Sequence, residues 1–264
     1  MRLQNKAAII TGGAQGIGRE YALRFAREGA AVAIADLREA QAREVEAEIA
    51  KAGGRALTVR ADVTDQAQMT EMARQVADRF GTIDVLVNNA AIYYDLDMTN
   101  QSLEYGRKVL DVNLFGIIIA ARAVFPWMKR QGSGTIINIA TVGAFPPGGL
   151  GGANRSAAPD LETVPVFYYG LAKSGVVWLT KTMAIDLGRY NIRVNAIAPG
   201  VVLSEATRRI TTPAAIEHLR NSTALGRSLE PKDIPGTAVF LASEDAALIT
   251  GQVIVVDAGL VMPA

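Results

Sequence analysis

The stretch IITGGAQGIGRE, residues 9–20, leads from an apolar run into a helical pattern. Gly12, Gly16 and Gly18 stand where a tight turn must let the backbone approach another group closely. The N-terminus of the following helix offers unpaired N–H groups and the positive end of the helix dipole, which suit a pyrophosphate. The spacing is G-x-x-x-G-x-G rather than G-x-G-x-x-G, so a plain glycine turn remains an alternative.

Short β-branched runs alternate with helical patterns along the whole chain. Most of these runs are apolar on both faces, which is typical of parallel strands covered by helices on each side. The helical patterns at residues 17–29 and 39–54 contain Gly29 and Gly53 where a C-cap belongs. This alternation predicts a three-layer, doubly wound α/β fold with one parallel sheet of seven strands. The predicted strands are KAAIIT (6–11), AVAIAD (31–36), ALTVRAD (56–62), IDVLVNN (83–89), GTIINIA (134–140), IRVNAIA (192–198) and GQVIVVDAG (251–259).

No linker, repeat or low-complexity tract interrupts the alternation, so residues 1–264 are predicted to form one domain. The alternation of strand and helix patterns is interrupted at residues 143–167, which are rich in glycine and proline and lack periodicity. A loop of this length in a compact domain is usually functional or mobile.

The overall composition argues against several classes of protein. The 27 basic and 26 acidic residues leave a net charge of +1, so no basic field attracts nucleic acid. Cysteine is absent and His218 is the only histidine, which argues against disulfides and metal sites. The start of the chain carries no export signal, and Arg122 and Pro126 interrupt the most apolar window, residues 113–130. We expect a soluble cytoplasmic protein with no membrane partner.

The second predicted strand ends in Asp36, eighteen residues after Gly18. A carboxylate there can accept both hydroxyls of an adenosine ribose and repel a 2′-phosphate. Neither Gln15 nor Leu37 supplies a cation for that phosphate, although Arg38 is close. NAD is therefore favoured over NADP. Asp36 could also serve as the N-cap of the next helix, and the two roles are compatible.

Two further strand ends carry polar residues. Asp62 and Val63 close the third strand, where they could flank an adenine ring. Asn88 and Asn89 close the fourth strand, where they could line the crevice at the point of reversal in strand order. Asparagines in this position also bind the neighbouring backbone, so a structural role is equally compatible.

Tyr169 and Lys173 are four residues apart in a small, apolar helical stretch, so their side chains share a helix face. A free phenol has a pKa of about 10 and is a poor base at neutral pH. A nearby ammonium favours the phenolate and is expected to lower that pKa. Such a pair can take a proton from an alcohol or return one to a ketone.

In these motifs the sequence resembles the short-chain dehydrogenase/reductase family. TGGAQGIG (11–18), NNAA (88–91), YGLAK (169–173) and APGVVLS (198–204) correspond in order to the family's motifs, and Asn113 to its helix asparagine. The resemblance extends from Lys6 to Gly259 and implies a Rossmann fold that binds a nicotinamide cofactor.

The resemblance implies a role for each of these residues. Tyr169 would be the general acid/base, and Lys173 would lower its pKa and bind the nicotinamide ribose. Asn113 would hold a water in the proton path through a main-chain kink, although it could also be an ordinary buried polar residue. The backbone of Val202 would bind the carboxamide. The full predicted cofactor set is Gly12, Gln15, Gly16, Ile17, Gly18, Asp36, Leu37, Asp62, Val63, Asn89, Ala90, Tyr169, Lys173, Pro199, Gly200, Val202 and Ser204.

The chain also departs from the family pattern. The substrate-orienting serine is replaced by Thr141, to which we assign the same role because its hydroxyl also donates and accepts. Ala91 replaces a glycine, and Ser204 stands where the family usually has threonine. The candidate substrate residues are Tyr93, Tyr94, Thr141, Val142, Phe145 and Phe167. For the aromatic residues among them, packing in the core or a loop is an equal alternative.

These features predict an NAD-dependent alcohol dehydrogenase or ketone reductase for a small or medium apolar substrate. Residues 143–167 and 203–221 would form lids that exclude water. Two other readings remain: an epimerase or dehydratase of the same family, and a weakly catalytic NAD-binding sensor or scaffold. The resemblance further implies a homotetramer or dimer that pairs helices around residues 103–128 and 169–188.

Overall fold

The predicted fold is confirmed by the structure, a computed structural model that describes residues 1–93, 100–145 and 167–262. Seven parallel strands of the described chain form one sheet in the order β3-β2-β1-β4-β5-β6-β7. The strands are β1 (Ala7–Thr11), β2 (Ala31–Asp36), β3 (Arg55–Arg60), β4 (Val85–Asn88), β5 (Gly134–Ile139), β6 (Ile192–Pro199) and β7 (Val253–Val256). The strand order reverses between β1 and β4, which opens a crevice at their carboxyl ends.

The helices lie on both faces of the sheet. Ile9 and Ile10 are neighbours on β1 and pack into opposite core layers, because successive strand residues point to opposite faces. One layer holds α1, α2 and α9, and the other holds α3, α5 and part of α6. The helices are α1 (Gly16–Arg27), α2 (Glu39–Lys51), α3 (Gln66–Phe80), α4 (Leu103–Leu110), α5 (Gly116–Gln131), α6 (Tyr168–Gly188), α7 (Glu205–Ile210), α8 (Pro213–Asn221) and α9 (Pro235–Ala242).

The predicted helix ends at Gly29 and Gly53 are confirmed. Both glycines have positive φ, +93° and +81°, one residue past the C-cap. The next N–H closes a Schellman motif, from Ala30 to the Phe25 carbonyl at 3.1 Å and from Gly54 to the Ile49 carbonyl at 2.9 Å.

The helical stretch Leu103–Gln131 contains a π-helical segment, Asp111–Phe115, between α4 and α5. This stretch is long and apolar enough to cross a membrane by length and composition alone, and 44% of its most apolar window is buried inside the protein. A core helix of a soluble protein has the same properties, so this is weak evidence for a membrane span.

The irregular segment predicted at 143–167 is described only at its two ends. Val142–Ala144 form a single 3₁₀ turn after β5, and Phe167 directly precedes α6. Residues 146–166, and the substrate candidate Tyr94, lie outside the described residues. The second predicted lid, residues 203–221, contains α7 and α8.

Tyr21, on the buried face of α1, generates a prediction about stability. Its side chain is fully buried, and its hydroxyl has no hydrogen-bond partner in the described part of the chain. Burial raises the pKa of this phenol, so it stays neutral. Because an unpaired buried hydroxyl costs about 1–3 kcal/mol, we expect Tyr21→Phe to raise the free energy of unfolding by about 1 kcal/mol. Urea unfolding at fixed protein concentration measures this change.

Thr180→Val is the matched control. Thr180 is equally buried, but its hydroxyl accepts from Asn138 Nδ2 at 3.0 Å and donates to the Val176 carbonyl at 2.8 Å. Removing that hydroxyl should lower the free energy of unfolding. If Tyr21→Phe lowers the free energy of unfolding by a similar amount, the Tyr21 hydroxyl has a hydrogen-bond partner and the prediction is wrong.

Candidate active site

The crevice at the carboxyl ends of the strands is a cavity of about 970 Å³. It brings together residues of β2, β5, α1, α4, α6 and α7 with the loops that follow β1, β3, β4, β5 and β6. Most of the residues predicted for the site line it, namely Gly12, Gln15, Gly16, Ile17, Gly18, Asp36, Leu37, Asp62, Val63, Asn89, Ala90, Tyr93, Thr141, Phe167, Tyr169, Lys173, Pro199, Gly200, Val202 and Ser204. Asn113, Val142 and Phe145 are not on its wall.

The turn after β1 and the start of α1, residues 12–18, form a tight backbone cradle that requires glycine at positions 12 and 18. We call it the glycine cradle. A Cβ on Gly18 would lie 1.9 Å from the Gly12 carbonyl oxygen, and a Cβ on Gly12 would lie 2.8 Å from Ala90 Cα. Gly12 and Gly16 also have positive φ, +65° and +55°. Gln15, the N-cap of α1, makes no side-chain capping bond in the described structure. The N-terminus of α1 therefore faces the cavity with the geometry that suits a phosphate group.

Thr11 and Asn89 hold this cradle against β4. The Thr11 hydroxyl accepts from the N–H groups of Asn89 and Ala90 at 3.0 and 3.1 Å. Asn89 Nδ2 donates in return to the carbonyls of Thr11 and Gly12 at 3.1 and 3.0 Å. The structural role considered for Asn89 is thus present together with its position on the cavity wall. Thr11 was missed, although it begins the quoted motif.

Asp36 lies at the other side of the glycine turn. One carboxylate oxygen accepts from the Ala14 N–H at 3.0 Å, and the other accepts from the Arg38 N–H at 2.9 Å. These two bonds fix the carboxylate at the cavity wall. The N-cap of α2 is Arg38, so the capping role considered for Asp36 is not the one found. The Arg38 guanidinium donates to Gln15 Oε1 and also lines the cavity.

Lys173 is buried in the same cavity, with 1% of its surface exposed. Its ammonium donates to the Ile139 carbonyl, at the end of β5, at 2.7 Å. It also lies 5.7 Å from the centre of the Tyr169 ring. Burial lowers the pKa of Lys173 to about 8, because the charged form loses hydration.

The pKa of Tyr169 corrects one step of the sequence argument. Lys173 was expected to lower it, but burial raises it, and the electrostatic effect of the neighbouring Tyr93 adds to the rise. The four-residue spacing reveals only the neighbouring charge, whereas the structure also removes solvent from the phenol. The rings of Tyr93 and Phe167 lie 5.5 and 6.0 Å from that of Tyr169. Burial therefore favours the neutral, proton-carrying form of the Tyr169 phenol.

Asn113 sits in the π-helical segment and is fully buried. Its Nδ2 donates to the Val109 carbonyl at 3.0 Å, one helical turn earlier. Its Oδ1 has no partner in the described part of the chain. The α-helical pattern is interrupted at Asn113 by this π-helical segment, and π-helical turns of this kind are frequent at functional sites.

Thr141 follows β5, is half-buried and lines the cavity. Its hydroxyl accepts from the Gly143 N–H at 3.3 Å. Two substrate candidates beside it are wrong as cavity residues. The 3₁₀ turn directs Val142 into the interior, where it is fully buried, and Phe145 packs against the core cluster that contains Ile117.

The loop after β6 closes the cavity. A Cβ on Gly200 would lie 2.8 Å from Asp257 Cβ, so glycine is required for the approach to β7. Val202 forms a bridge with Leu229. Ser204 is the N-cap of α7 and accepts from the Thr207 N–H at 3.2 Å.

One side of the cavity was missed by sequence reasoning. Charged residues of α4 line it, and no motif marks them because the helix reaches the site only through packing. They are Glu104, Arg107 and Lys108, with Asp111 just after the helix.

Comparison with known proteins identifies the family. A family model described as enoyl-(acyl carrier protein) reductase matches residues 12–261. An uncharacterised oxidoreductase of Mycobacterium tuberculosis is 39% identical over 98% of both chains. Meso-2,3-butanediol dehydrogenase of Serratia marcescens is 35% identical over 98% of this chain and 96% of its own.

A solved structure of 7α-hydroxysteroid dehydrogenase, complexed with NADH and 7-oxo glycochenodeoxycholic acid, superposes with a TM-score of 0.88. It is 32% identical and covers 98% of this chain and 95% of its own. The glycine cradle, the buried Lys173 and these likenesses agree, and the chain belongs to the short-chain dehydrogenase/reductase family, which binds a nicotinamide cofactor and includes these oxidoreductases.

Proposed function

We propose that this chain is an NAD-dependent oxidoreductase that interconverts a secondary alcohol and a ketone, with Tyr169 as the general acid/base. The observation that carries the proposal is the placement of Tyr169 and Lys173 in one cavity with the glycine cradle and Asp36. The named relatives support the substrate class, because butanediol and hydroxysteroid dehydrogenases act on secondary hydroxyl groups by their names.

The cradle residues fit the proposed cofactor. Gly12 and Gly18 let the turn pack tightly against Asn89 and Ala90, which sets the start of α1 at the cavity, where its N–H groups would hold the pyrophosphate. Asp36 would accept hydrogen bonds from the adenosine ribose hydroxyls, and Lys173 would donate one to the nicotinamide ribose. When bound, the nicotinamide supplies or accepts the hydride.

The chain's own residues handle the proton. In ketone reduction, Thr141 donates a hydrogen bond to the carbonyl oxygen and orients it. The neutral phenol of Tyr169 then donates its proton to that oxygen, and the Lys173 ammonium stabilises the phenolate that remains. In alcohol oxidation the same groups act in reverse. Tyr93 and Phe167 flank Tyr169 with apolar rings, which favours a substrate of apolar character.

The first test is removal of the Tyr169 hydroxyl. Tyr169→Phe should lower kcat at least ~100-fold, the usual minimum effect of a general acid/base, while NADH affinity measured by fluorescence stays within about two-fold. Turnover is followed by NADH absorbance over a panel of secondary alcohols, sugars and ketones. Tyr190→Phe, two residues past the end of α6, is the control and should keep full activity.

A Tyr169→Phe enzyme with undiminished turnover would overturn the assignment. Tight NAD binding with no turnover across the panel would instead favour the sensor or scaffold. Altered stereochemistry with no net NADH change would favour an epimerase.

The second test concerns the cofactor. The Asp36 carboxylate should repel a 2′-phosphate, so we expect kcat/KM to favour NAD over NADP by roughly 10- to 100-fold, equivalent to about 1.4–2.8 kcal/mol. Asp36→Ser should reduce that preference, because Arg38 then faces the 2′-position without a competing carboxylate. Arg38→Gln is the matched variant and should increase the preference for NAD. A wild-type preference for NADP would contradict the role of Asp36.

Assembly is a further part of this proposal. Leu171, Trp178 and Ile185 are spaced by seven residues on α6, and 51%, 68% and 79% of their surfaces are exposed. Residues seven apart share a helix face, so the three form an apolar stripe that suits a second copy of the chain. Phe115, 49% exposed, lies on the neighbouring helix. We propose a homodimer through this stripe, and a tetramer when two dimers associate.

Light scattering at micromolar concentration tests the assembly. We expect a dimer or tetramer for the wild type and a smaller species for the double variant Trp178→Lys, Ile185→Lys, because each lysine brings an unpaired charge into the interface. Ala47→Lys, on the exposed face of α2 across the sheet, should leave the assembly unchanged. A monomeric wild type would refute the proposal.

A further inference from the structure

Among the described residues, none caps the start of the helix that carries Tyr169 with its side chain. Tyr168 is the first residue of α6, and Phe167 at the N-cap position cannot supply the usual hydrogen bond. The first turn of a helix lacks intrahelical partners for its N–H groups and frays unless other contacts hold it. Tyr169 lies in that turn, so its position depends on tertiary contacts.

Tyr168 supplies contacts of this kind. It is 9% exposed, and its hydroxyl donates to the Gln101 carbonyl at 3.0 Å. Gln101 directly precedes Ser102, the N-cap of α4, whose hydroxyl accepts from the Tyr105 N–H at 3.2 Å. The uncapped end of α6 is thereby tied to the capped end of α4.

The ring of Tyr168 rests on a glycine in α4. A Cβ built on Gly106 would lie 2.5 Å from Cε1 and 2.6 Å from Cζ of Tyr168, closer than real Cβ atoms approach. Tyr105 packs edge-on against the same ring, with centroids 6.5 Å apart. Glycine is among the poorest helix formers, and the Tyr168 ring accounts for its presence inside α4.

A reciprocal contact joins the two helices farther along. A Cβ on Gly175 of α6 would lie 3.0 Å from Cδ2 of Leu114, which belongs to the π-helical segment. Gly106 of α4 thus packs against Tyr168 of α6, and Gly175 of α6 packs against Leu114 of the π-helical segment. The pair of contacts fixes α6 along the helix that carries Asn113, which is one residue before Leu114.

From these contacts we propose that Tyr168 is a positioning residue for Tyr169. Its ring fills the space that Gly106 leaves beside α4, which we call the Gly106 socket, and its hydroxyl donates to the Gln101 carbonyl. These two contacts hold the first turn of α6 so that the Tyr169 phenol meets the substrate oxygen beside Thr141. The inference rests on the proposed function of Tyr169. Tyr168 itself touches neither substrate nor cofactor in this account.

Three variants test the proposal by kinetics. Gly106→Ala should displace the Tyr168 ring and lower kcat at least ~10-fold, because misplacement of a catalytic group by about 1 Å is costly. Tyr168→Phe keeps the ring in the socket and removes only the hydroxyl, so its kcat should fall less, about three-fold. Gly188→Ala is the control, since a Cβ there has no neighbour within 4 Å. It should keep the wild-type kcat.

The dissociation constant for NADH should stay within about two-fold in all three variants, because the cradle between β1 and α1 takes no part in the contacts of Gly106 and Tyr168. A general loss of folding would change both quantities. If Gly106→Ala does not fold, Tyr168→Phe and Tyr168→Leu are compared instead. Tyr168→Leu has no ring to fill the socket, so its kcat should fall further than that of Tyr168→Phe. A wild-type kcat in both Gly106→Ala and Tyr168→Leu overturns the proposal.

Hydrogen exchange of the amides of Leu171–Lys173 gives a readout that does not depend on turnover. We expect exchange to accelerate about five-fold or more in Gly106→Ala and not in Gly188→Ala, because the first turn opens more often. Unchanged exchange overturns the positioning role, whatever happens to kcat. If the wild type turns over no substrate, the proposed function fails, and faster exchange still supports the anchor at Tyr168.

Discussion

The buried ammonium of Lys173 is the constraint on which the site depends. A charge removed from water needs a fixed partner, and the carbonyl of Ile139 at the end of β5 provides one at 2.7 Å. That bond fixes the distance between α6 and the carboxyl end of the sheet. Tyr169, one turn earlier on the same face, is thereby brought to the cavity. The lowered pKa of about 8 at Lys173 reflects the cost of this arrangement.

A chain of buried side chains fixes the same helix two turns farther along. Asn88 Nδ2 donates to Asn138 Oδ1 at 2.9 Å, and Asn138 Nδ2 donates to the Thr180 hydroxyl at 3.0 Å. Thr180 follows Lys173 by seven residues, so both bonds leave α6 from one face. Two attachments on one face set both the rotation of the helix and its axial position. The strands that carry Asn88 and Asn138 end at the cavity, so packing and chemistry share one set of bonds.

Much of the molecule could be predicted from local pattern. The alternation of apolar runs and helical periods predicted every strand of the sheet, and Gly29 and Gly53 marked the ends of α1 and α2, because these features depend on neighbours in sequence. The predictions that failed depended on distant neighbours. Val142 was assigned to the cavity but lies in the core, since a 3₁₀ turn sets its direction. The charged residues of α4 were missed because no sequence motif brings that helix to the cavity.

The sequence by itself determined the order of strands and helices, the glycine turn after β1 and the pairing of Tyr169 with Lys173, because each follows from spacing within a few residues. Only the tertiary structure decided the electrostatics. The four-residue spacing of Tyr169 and Lys173 predicted a lowered phenol pKa, but the packing around Tyr169 removes water and raises it. Likewise, only the tertiary structure shows why Gly106 lies inside a helix, since the Tyr168 ring that requires it is 62 residues away in sequence. Desolvation and close packing are sums over atoms from many parts of the chain, and no local pattern encodes them.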